Sequence, residues 1–207
     1  MSSDAALDQV EESMPHPSFG SILCVCTYNR SRSVMMGGFL RDHLDLRGIG
    51  PEVRVATAGL HGGGHPPTSH ALAQLGHRGR SVQGHVSRAV DAFRLVGRDV
   101  VVTAERAHVA SIAGRWPEMF DRTFTLPELV GLLDAIAPTD PDVWSRLGAS
   151  RIAKSVYLDA PEVGEIDEPG GGSPADWRHC ARTIDALTGR LADWVAQRHL
   201  AMAGQVR

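Results

Sequence analysis

The chain has 207 residues, of which 43% are hydrophobic and 22% are charged, and this length suits one α/β domain with a substantial core. Its formal net charge of −3 shows no basic excess, which argues against nucleic acid or an anionic membrane as the main partner. No apolar run approaches the roughly 20 residues of a transmembrane helix. Three cysteines without framework spacing, at positions 24, 26 and 180, predict a chain in a reducing cytoplasm.

The N-terminal segment is acidic and carries neither a cationic start nor an apolar stretch, so it lacks the pattern of a signal peptide. We expect residues 1–19 to form a flexible leader, residues 20–200 to form one domain and residues 201–207 to form a tail. The sequence indicates no internal repeat and no second domain.

The first predicted unit is a strand, a short loop and a helix. Residues 22–25 are continuously apolar, as in a central strand of a parallel sheet that is covered on both faces. A polar loop follows at residues 26–32, and a helix with Ser33 as its N-cap comes next. This order is typical of a βαβ fold.

The rest of the chain continues the alternation of strands and helices. Further strands are predicted around residues 53–56, 99–102 and 124, and helices at residues 68–75, 87–95, 105–112, 126–136, 142–153 and 175–200. The pattern therefore predicts an α/β fold with a parallel sheet.

The segment CTYNRSRS at residues 26–33 carries the chemistry, with five residues between Cys26 and Arg32. Cys26 ends the first predicted strand, at the edge where ligands bind in open α/β sheets. The loop then enters a helix N-terminus, where free N–H groups and the helix dipole favour an anion and a thiolate. A guanidinium can hold two phosphate oxygens in a fork. The segment predicts a phosphate-binding loop with a nucleophilic cysteine; the alternative is a structural cysteine before a basic loop.

Other residues of this loop have predicted supporting roles. Ser33 can donate its hydroxyl to the Cys26 sulfur and ease the later departure of that sulfur. Asn29 suits a left-handed backbone position, which a tight anion-binding nest requires. Tyr28 can stack on an aromatic substrate at the rim. The residues predicted to bind phosphate are Thr27, Tyr28, Asn29, Arg30, Ser31 and Arg32.

These motifs resemble the low-molecular-weight protein tyrosine phosphatase family over about residues 20–195. The first strand and loop, ILCVCTYNRSRS, resemble the active-site loop of that family. VATAGL is similar to its second strand and turn, and GHVSRAV to its His-x-x-Arg segment, which implies that Thr57 and His85 support the loop. DVVVTAERAH resembles its third strand and the following helix, and IDEPGGGSPADW its acidic-proline loop.

The resemblance implies a three-layer α/β/α fold around a four-stranded parallel sheet of the phosphotyrosine phosphatase I type. It also implies a cysteinyl-phosphate intermediate on Cys26, formed without metal or organic cofactor, and a phosphotyrosine protein or a small aryl phosphate as substrate. None of the ten histidines forms a compact ligand pattern with cysteine or aspartate, so we expect no metal site.

Three positions depart from the family pattern. Tyr28 stands where the family usually has glycine, and Ser31 stands where it usually has a second cysteine. Glu168, instead of aspartate, precedes Pro169, and Asp167 comes one residue earlier. A tyrosine leaving group has a pKa near ~10 and needs a carboxylic acid to protonate it. Register favours Glu168 as this acid; Asp167, or two solvated loop charges, are the alternatives.

Two other functions stay open at this point. An arsenate reductase shares the fold and a similar loop, but it needs further cysteines on a mobile segment, and only Cys180 lies downstream of the loop. The other open function is a non-catalytic module, which would bind phosphate or a phosphopeptide through the same loop without hydrolysing it.

Overall fold

The computed structural model describes residues 19–205. The predicted leader therefore lies outside the described residues except for Phe19, as do residues 206 and 207 of the predicted tail. Phe19 is fully buried, and its ring packs 5.0 Å from the rings of both Trp144 and Trp194. The described chain thus enters the fold through an aromatic anchor that ties its first residue to the core.

A parallel four-stranded sheet lies at the centre of the fold. Its strands are β1 (Ser21–Cys26), β2 (Arg54–Gly59), β3 (Val100–Thr103) and β4 (Thr123–Thr125), in the order β2-β1-β3-β4. Cys26 pairs with Gly59 at the carboxyl end of β1, so the sheet places the end of the apolar run beside the turn after β2. The predicted four-stranded parallel sheet is confirmed.

Helices cover both faces of the sheet. They are α1 (Arg32–Leu46), α2 (Ser69–Leu75), α3 (Ala92–Leu95), α4 (Arg106–Arg115), α5 (Leu126–Leu133), α6 (Val143–Ala149) and α7 (Pro174–Gln205). Side chains of β1 alternate between the faces: Cys24 and Cys26 join the cluster beneath α1 and α7, whereas Val25 joins the cluster beneath α4. This alternation produces the predicted three layers. None of the helices among residues 19–205 combines the length and apolar character that a membrane span requires.

The predicted starts of two helices are wrong. Ser31, not Ser33, is the N-cap of α1, since the Ser31 carbonyl already accepts the Met35 N–H at 2.9 Å. The first half of the helix predicted at residues 87–95 is extended, because Val90 N–H bonds to the Gly59 carbonyl at 2.7 Å beside the end of β2. Helical structure starts only after Asp91, whose carboxylate accepts the Arg94 N–H at 2.8 Å.

A buried charged cluster anchors the chain between α5 and the acidic-proline loop. Nε of Arg151 donates to Glu128 at 3.0 Å, and only 3% and 6% of these side chains are exposed. The Arg151 guanidinium lies 4.0 Å from the ring centre of Phe120 and 4.2 Å from that of Phe124. The Tyr157 hydroxyl also donates to Glu128. This cluster holds the segment against β4 and α5, and the acidic-proline loop follows directly from it.

Candidate active site

Cys26 lies at the end of β1, where the chain turns into the N-terminus of α1. It contributes to the wall of a cleft of about 550 Å³, although only 2% of the residue is exposed. Its Sγ atom lies 3.1 Å from Oγ of Ser33 in the first turn of α1. The structure therefore brings the predicted nucleophile and its predicted hydroxyl partner together at one end of the cleft.

Asn29 organises the loop around this sulfur. Its φ is 54°, which confirms the predicted left-handed conformation, and the residue is fully buried. Nδ2 donates to Ser33 Oγ at 3.0 Å, and Oδ1 accepts the Arg88 N–H at 3.0 Å. The amide occupies one acceptor site of the Ser33 hydroxyl, so the hydroxyl proton is free for Cys26 Sγ.

His85 lies against the loop at the position that the resemblance implies. Its Nε2 lies 2.9 Å from the backbone carbonyl oxygen of Asn29. A carbonyl oxygen only accepts hydrogen bonds, so Nε2 carries the proton in this contact. The contact therefore holds the carbonyl of the residue with positive φ in place.

Gly59 permits the close packing of the loop on the end of β2. A Cβ at this position would lie 2.6 Å from the Asn29 nitrogen and 2.9 Å from the Thr27 carbonyl oxygen. Both neighbours are backbone atoms, which cannot rotate away as a flexible side chain can. The loop therefore requires glycine at position 59 for its close approach to β2. From the sequence, this glycine indicated only a turn after the second strand.

Thr57 does not support the loop, so that expectation needs correction. It pairs with Cys24, two positions before the nucleophile, and its methyl group packs against α1, 2.5 Å from a Cβ built on Gly37. No hydrogen bond joins Thr57 to the loop within residues 19–205. The strand register explains the difference, because position 57 lies one full strand repeat below the end of the sheet.

Arg32 is held by two carboxylates. The residue is 1% exposed; Nη1 contacts Glu105 and donates to the Ile166 carbonyl at 2.8 Å, while Nη2 lies 2.7 Å from Oε2 of Glu168. Nε is buried and has no hydrogen-bond partner in the described part of the chain. The unpartnered Nε donor therefore stands next to Nη2, which is paired with the partly exposed carboxylate of Glu168.

The two candidate acids occupy different surroundings. Glu168 is 43% exposed and lines the same cleft as Cys26. Asp167 lines only a neighbouring cavity of about 240 Å³, which Glu168 also borders and which contains Cys180 but not Cys26. The backbone just before them is fixed, since the Ile166 N–H donates to the Ala104 carbonyl at 2.8 Å. The loop therefore presents Glu168, and not Asp167, to the cleft.

The other predicted phosphate-binding residues line the outer part of the cleft. Tyr28 is 60% exposed and stands at the rim. Arg30 also lines the cleft, and its Nε donates to the Pro66 carbonyl at 3.0 Å. The Ser31 hydroxyl contacts that of Thr68 at 3.2 Å, so it ties the loop to the residue that caps α2.

Two residues of the site, Glu105 and His108, escaped the sequence prediction. Glu105 pairs with Arg32, and Nε2 of His108 lies 3.0 Å from Oγ1 of Thr27. Both follow β3, which neighbours β1 in the sheet, so parallel topology brings their segment to the same edge. The TAERAH stretch after the third predicted strand was the available signal.

The other cysteines are unsuited to nucleophilic chemistry. Burial raises the pKa of Cys24 to about 12 and the pKa of Cys180 to about 11. Both thiols therefore remain protonated near neutral pH. Among residues 19–205, no group of three or more histidine, cysteine, aspartate or glutamate side chains is arranged to hold a metal ion.

Comparisons with known proteins point to one family. The family described as low molecular weight phosphotyrosine protein phosphatase matches residues 21–142. The low molecular weight protein-tyrosine-phosphatase Etp of Escherichia coli K12 is 33% identical over 111 residues, which are 53% of this chain and 71% of Etp.

Solved structures share the fold over most of the chain. The YwlE arginine phosphatase of Geobacillus stearothermophilus is 25% identical with a TM-score of 0.59, covering 84% of this chain and 90% of its own. The tyrosine phosphatase Wzb of Escherichia coli K30 is 20% identical with a TM-score of 0.60, covering 84% of this chain and 97% of its own.

Proposed function

Because the chain belongs to the low molecular weight phosphotyrosine protein phosphatase family, we propose that it hydrolyses protein phosphotyrosine through a cysteinyl-phosphate on Cys26. The observation that carries this proposal is the 3.1 Å contact between Cys26 Sγ and Ser33 Oγ at the N-terminus of α1, inside a cleft of about 550 Å³. The hydroxyl and the N–H groups of the first helical turn stabilise negative charge on the sulfur.

In the first step, the Cys26 thiolate attacks the phosphorus atom. An S–P bond forms and the P–O bond to the tyrosine oxygen breaks, with the electron pair going to that oxygen. Glu168 donates a proton to it, so the product leaves as neutral tyrosine. We assign this proton to Glu168 because it shares the cleft with Cys26, whereas Asp167 lines the neighbouring cavity.

In the second step, a water oxygen attacks the phosphorus of the cysteinyl-phosphate. Glu168, now a carboxylate, takes a proton from this water, and the S–P bond breaks with its electron pair returning to sulfur. Ser33 eases the departure because its hydroxyl donates to the developing thiolate. Inorganic phosphate is released, and the starting thiolate is restored.

Arg32 links phosphate binding to release of the acid. Its unpartnered Nε and its Nη2 together form the two-donor fork that phosphate oxygens fit. Glu168 now occupies Nη2, so an arriving phosphate dianion replaces one anion with another at this atom. The displaced carboxyl is then free of the guanidinium and available to donate its proton in the first step.

Charge in the cleft favours tyrosine over arginine as the phosphorylated side chain. Two of the structural neighbours are arginine phosphatases, and phosphoarginine leaves as a cationic guanidinium. In this chain Arg30 places a guanidinium on the cleft wall, which repels such a leaving group. The exposed ring of Tyr28 instead offers a face on which an aromatic substrate stacks.

Parallel assays of phosphotyrosine and phosphoarginine peptides, with and without a chelator, test this function. We expect chelator-resistant hydrolysis of phosphotyrosine that disappears in Cys26→Ser, and little hydrolysis of phosphoarginine. Arg30→Met, which removes the charge and keeps a side chain of similar length, should narrow the difference in hydrolysis rate between the two substrates. Faster hydrolysis of phosphoarginine by the wild type, or undiminished turnover by Cys26→Ser, would refute the proposal.

A further inference from the structure

The hydroxyl next to the nucleophile is paired with a buried histidine. Thr27 follows Cys26 directly and lines the same cleft, and its Oγ1 lies 3.0 Å from Nε2 of His108. His108 is 2% exposed and lies in the first turn of α4. Neither step of the proposed reaction uses this pair, although Thr27 is the residue next to the nucleophile.

The backbone determines which nitrogen of His108 carries the proton. The Glu105 N–H donates to Nδ1 of His108 at 3.2 Å, so Nδ1 is the unprotonated acceptor. Burial, opposed by the charge of Glu105, lowers the pKa of His108 to about 4, and the ring is therefore neutral in a neutral buffer. A neutral ring with a bare Nδ1 has its proton on Nε2, and Nε2–H donates to Thr27 Oγ1.

This direction leaves the hydroxyl proton of Thr27 for another acceptor. A threonine oxygen that accepts one hydrogen bond still donates through its own O–H. Apart from His108, no group in the described part of the chain hydrogen-bonds to this hydroxyl. Thr27 lines the cleft together with Cys26, so this unused donor adjoins the space that a substrate would enter.

We propose that His108 is a positioning residue that directs the Thr27 hydroxyl proton toward a phosphoryl oxygen held against Cys26, and that Thr27 thereby contributes a substrate-binding donor. The inference rests on the proposed function, because it requires a phosphoryl group at this sulfur. The tautomer of His108 decides which partner donates the hydrogen bond, the ring or the threonine. With the proton on Nδ1, the threonine would donate to the ring and present a lone pair to the phosphoryl oxygen, which would repel it.

The predicted benefit follows from the chemistry of phosphoryl transfer. Charge spreads over the equatorial oxygens in the transition state, and an oriented donor in a water-poor site stabilises that charge without reorganising. One hydrogen bond to a charged group corresponds to a rate effect on the order of tenfold or more. His108 supplies the orientation and does not touch the substrate.

A double-mutant cycle on aryl phosphate hydrolysis tests the coupling. Thr27→Val and His108→Ala should each lower kcat/KM by about tenfold, and the double variant should be no slower than either. His108→Gln keeps an N–H donor near the Nε2 position and should restore most of the rate. Fully additive losses, or no rescue by glutamine, would overturn the inference.

His43→Ala is a matched control at the far end of α1. Nε2 of His43 lies 2.8 Å from Oδ1 of Asp185 on α7, so this variant also removes a histidine contact between elements. It should lower stability and leave kcat/KM within about twofold of the wild type. An equal loss of rate in this control would mean that the His108 effect is merely structural.

Two measurements do not depend on turnover. Nitrogen-15 NMR of the His108 ring should show a protonated Nε2 and a bare Nδ1 at neutral pH; the opposite tautomer would overturn the inference. Calorimetric binding of inorganic phosphate should weaken severalfold in both Thr27→Val and His108→Ala. Unchanged phosphate affinity in both variants would overturn it as well, whereas loss of the proposed function would show separately as full activity in Cys26→Ser.

Discussion

At the residue scale, the contacts around Cys26 form a directed chain of donors. Asn29 donates to Ser33, which leaves the Ser33 proton for sulfur, and His85 donates to the carbonyl oxygen of Asn29. The other polar anchor, Arg32, is divided between Glu105 and Glu168. The same carboxyl that the mechanism uses as an acid thus competes with phosphate for the guanidinium.

This competition predicts opposite effects of Glu168→Gln on binding and on turnover. Removing the carboxylate frees Nη2 of Arg32, so inorganic phosphate should inhibit at lower concentration than in the wild type. Removing the acid should slow hydrolysis of a poor aryl leaving group by about 10²–10⁴-fold. Steady-state kinetics with phosphate as inhibitor measure both quantities.

Asp167→Asn is the control for this prediction. Asp167 lines the neighbouring cavity, so its amide should leave both phosphate inhibition and turnover close to wild type. A loss of turnover confined to Asp167→Asn would reassign the acid to that residue.

The sequence was sufficient for the local residues of the site and insufficient for the distant ones. The left-handed Asn29 follows from its position within a tight loop, and its φ bears this out. Glu105 and His108 lie more than 70 positions from the loop, so only the strand order brings them near it. The expectation for Thr57 came from the family resemblance, and no local pattern reveals the strand register that pairs it with Cys24.

At the element scale, the loop depends on how closely it packs on the end of β2. The backbone of the loop passes so close to Gly59 that a Cβ at this position would clash with it. On the other side of the contact, Ala89 forms a short parallel bridge with Gly59. That bridge is why the helix predicted from residue 87 starts only at Ala92. Backbone hydrogen bonds to Gly59 therefore overrode the helical propensity of residues 87–90, and the sequence pattern gives no sign of these bonds.

Gly59→Ala should therefore damage catalysis more than folding. The new methyl group would lie 2.6 Å from the Asn29 nitrogen, so the loop must move away from its present position. Displacement of a positioned nucleophile costs about 10²-fold in rate, while overpacking costs about 1–3 kcal/mol of stability. Aryl phosphate kinetics and urea unfolding measure the two effects.

Gly114→Ala in α4 is the matched control. A Cβ at Gly114 meets no atom within 4 Å, so alanine should preserve activity and raise stability slightly through helix propensity. If Gly59→Ala retained the wild-type rate, the close approach of loop and strand would have no catalytic importance.

At the scale of the whole molecule, residues beyond the family match are integrated into the domain. The match ends at residue 142, yet the buried Arg151 pairs with Glu128 of α5 and packs against aromatic rings near β4. The acidic-proline loop continues from this segment, and Arg106 binds it through Glu165 at 3.1 Å. The segment and Arg106 therefore hold the loop that carries Glu168.

Loss of Arg151 should destabilise the whole domain. Arg151→Met leaves the Glu128 carboxylate buried without its cation, which costs about 3–5 kcal/mol. Urea unfolding measures this loss. Arg190→Met removes an exposed pair with Asp134, so it should cost less than about 1 kcal/mol. Equal losses in the two variants would contradict the role assigned to the buried cluster.

The most direct test of the account is detection of phosphate on Cys26 during turnover. Wild-type enzyme mixed with an excess of phosphotyrosine peptide, quenched in acid and mapped by mass spectrometry, should carry one phosphate on the peptide that contains Cys26. Glu168→Gln, which lacks the base for the second step, should accumulate more of it when loaded with a good aryl leaving group. Hydrolysis that proceeds with no phosphate on Cys26, or with phosphate on another residue, would contradict the central claim.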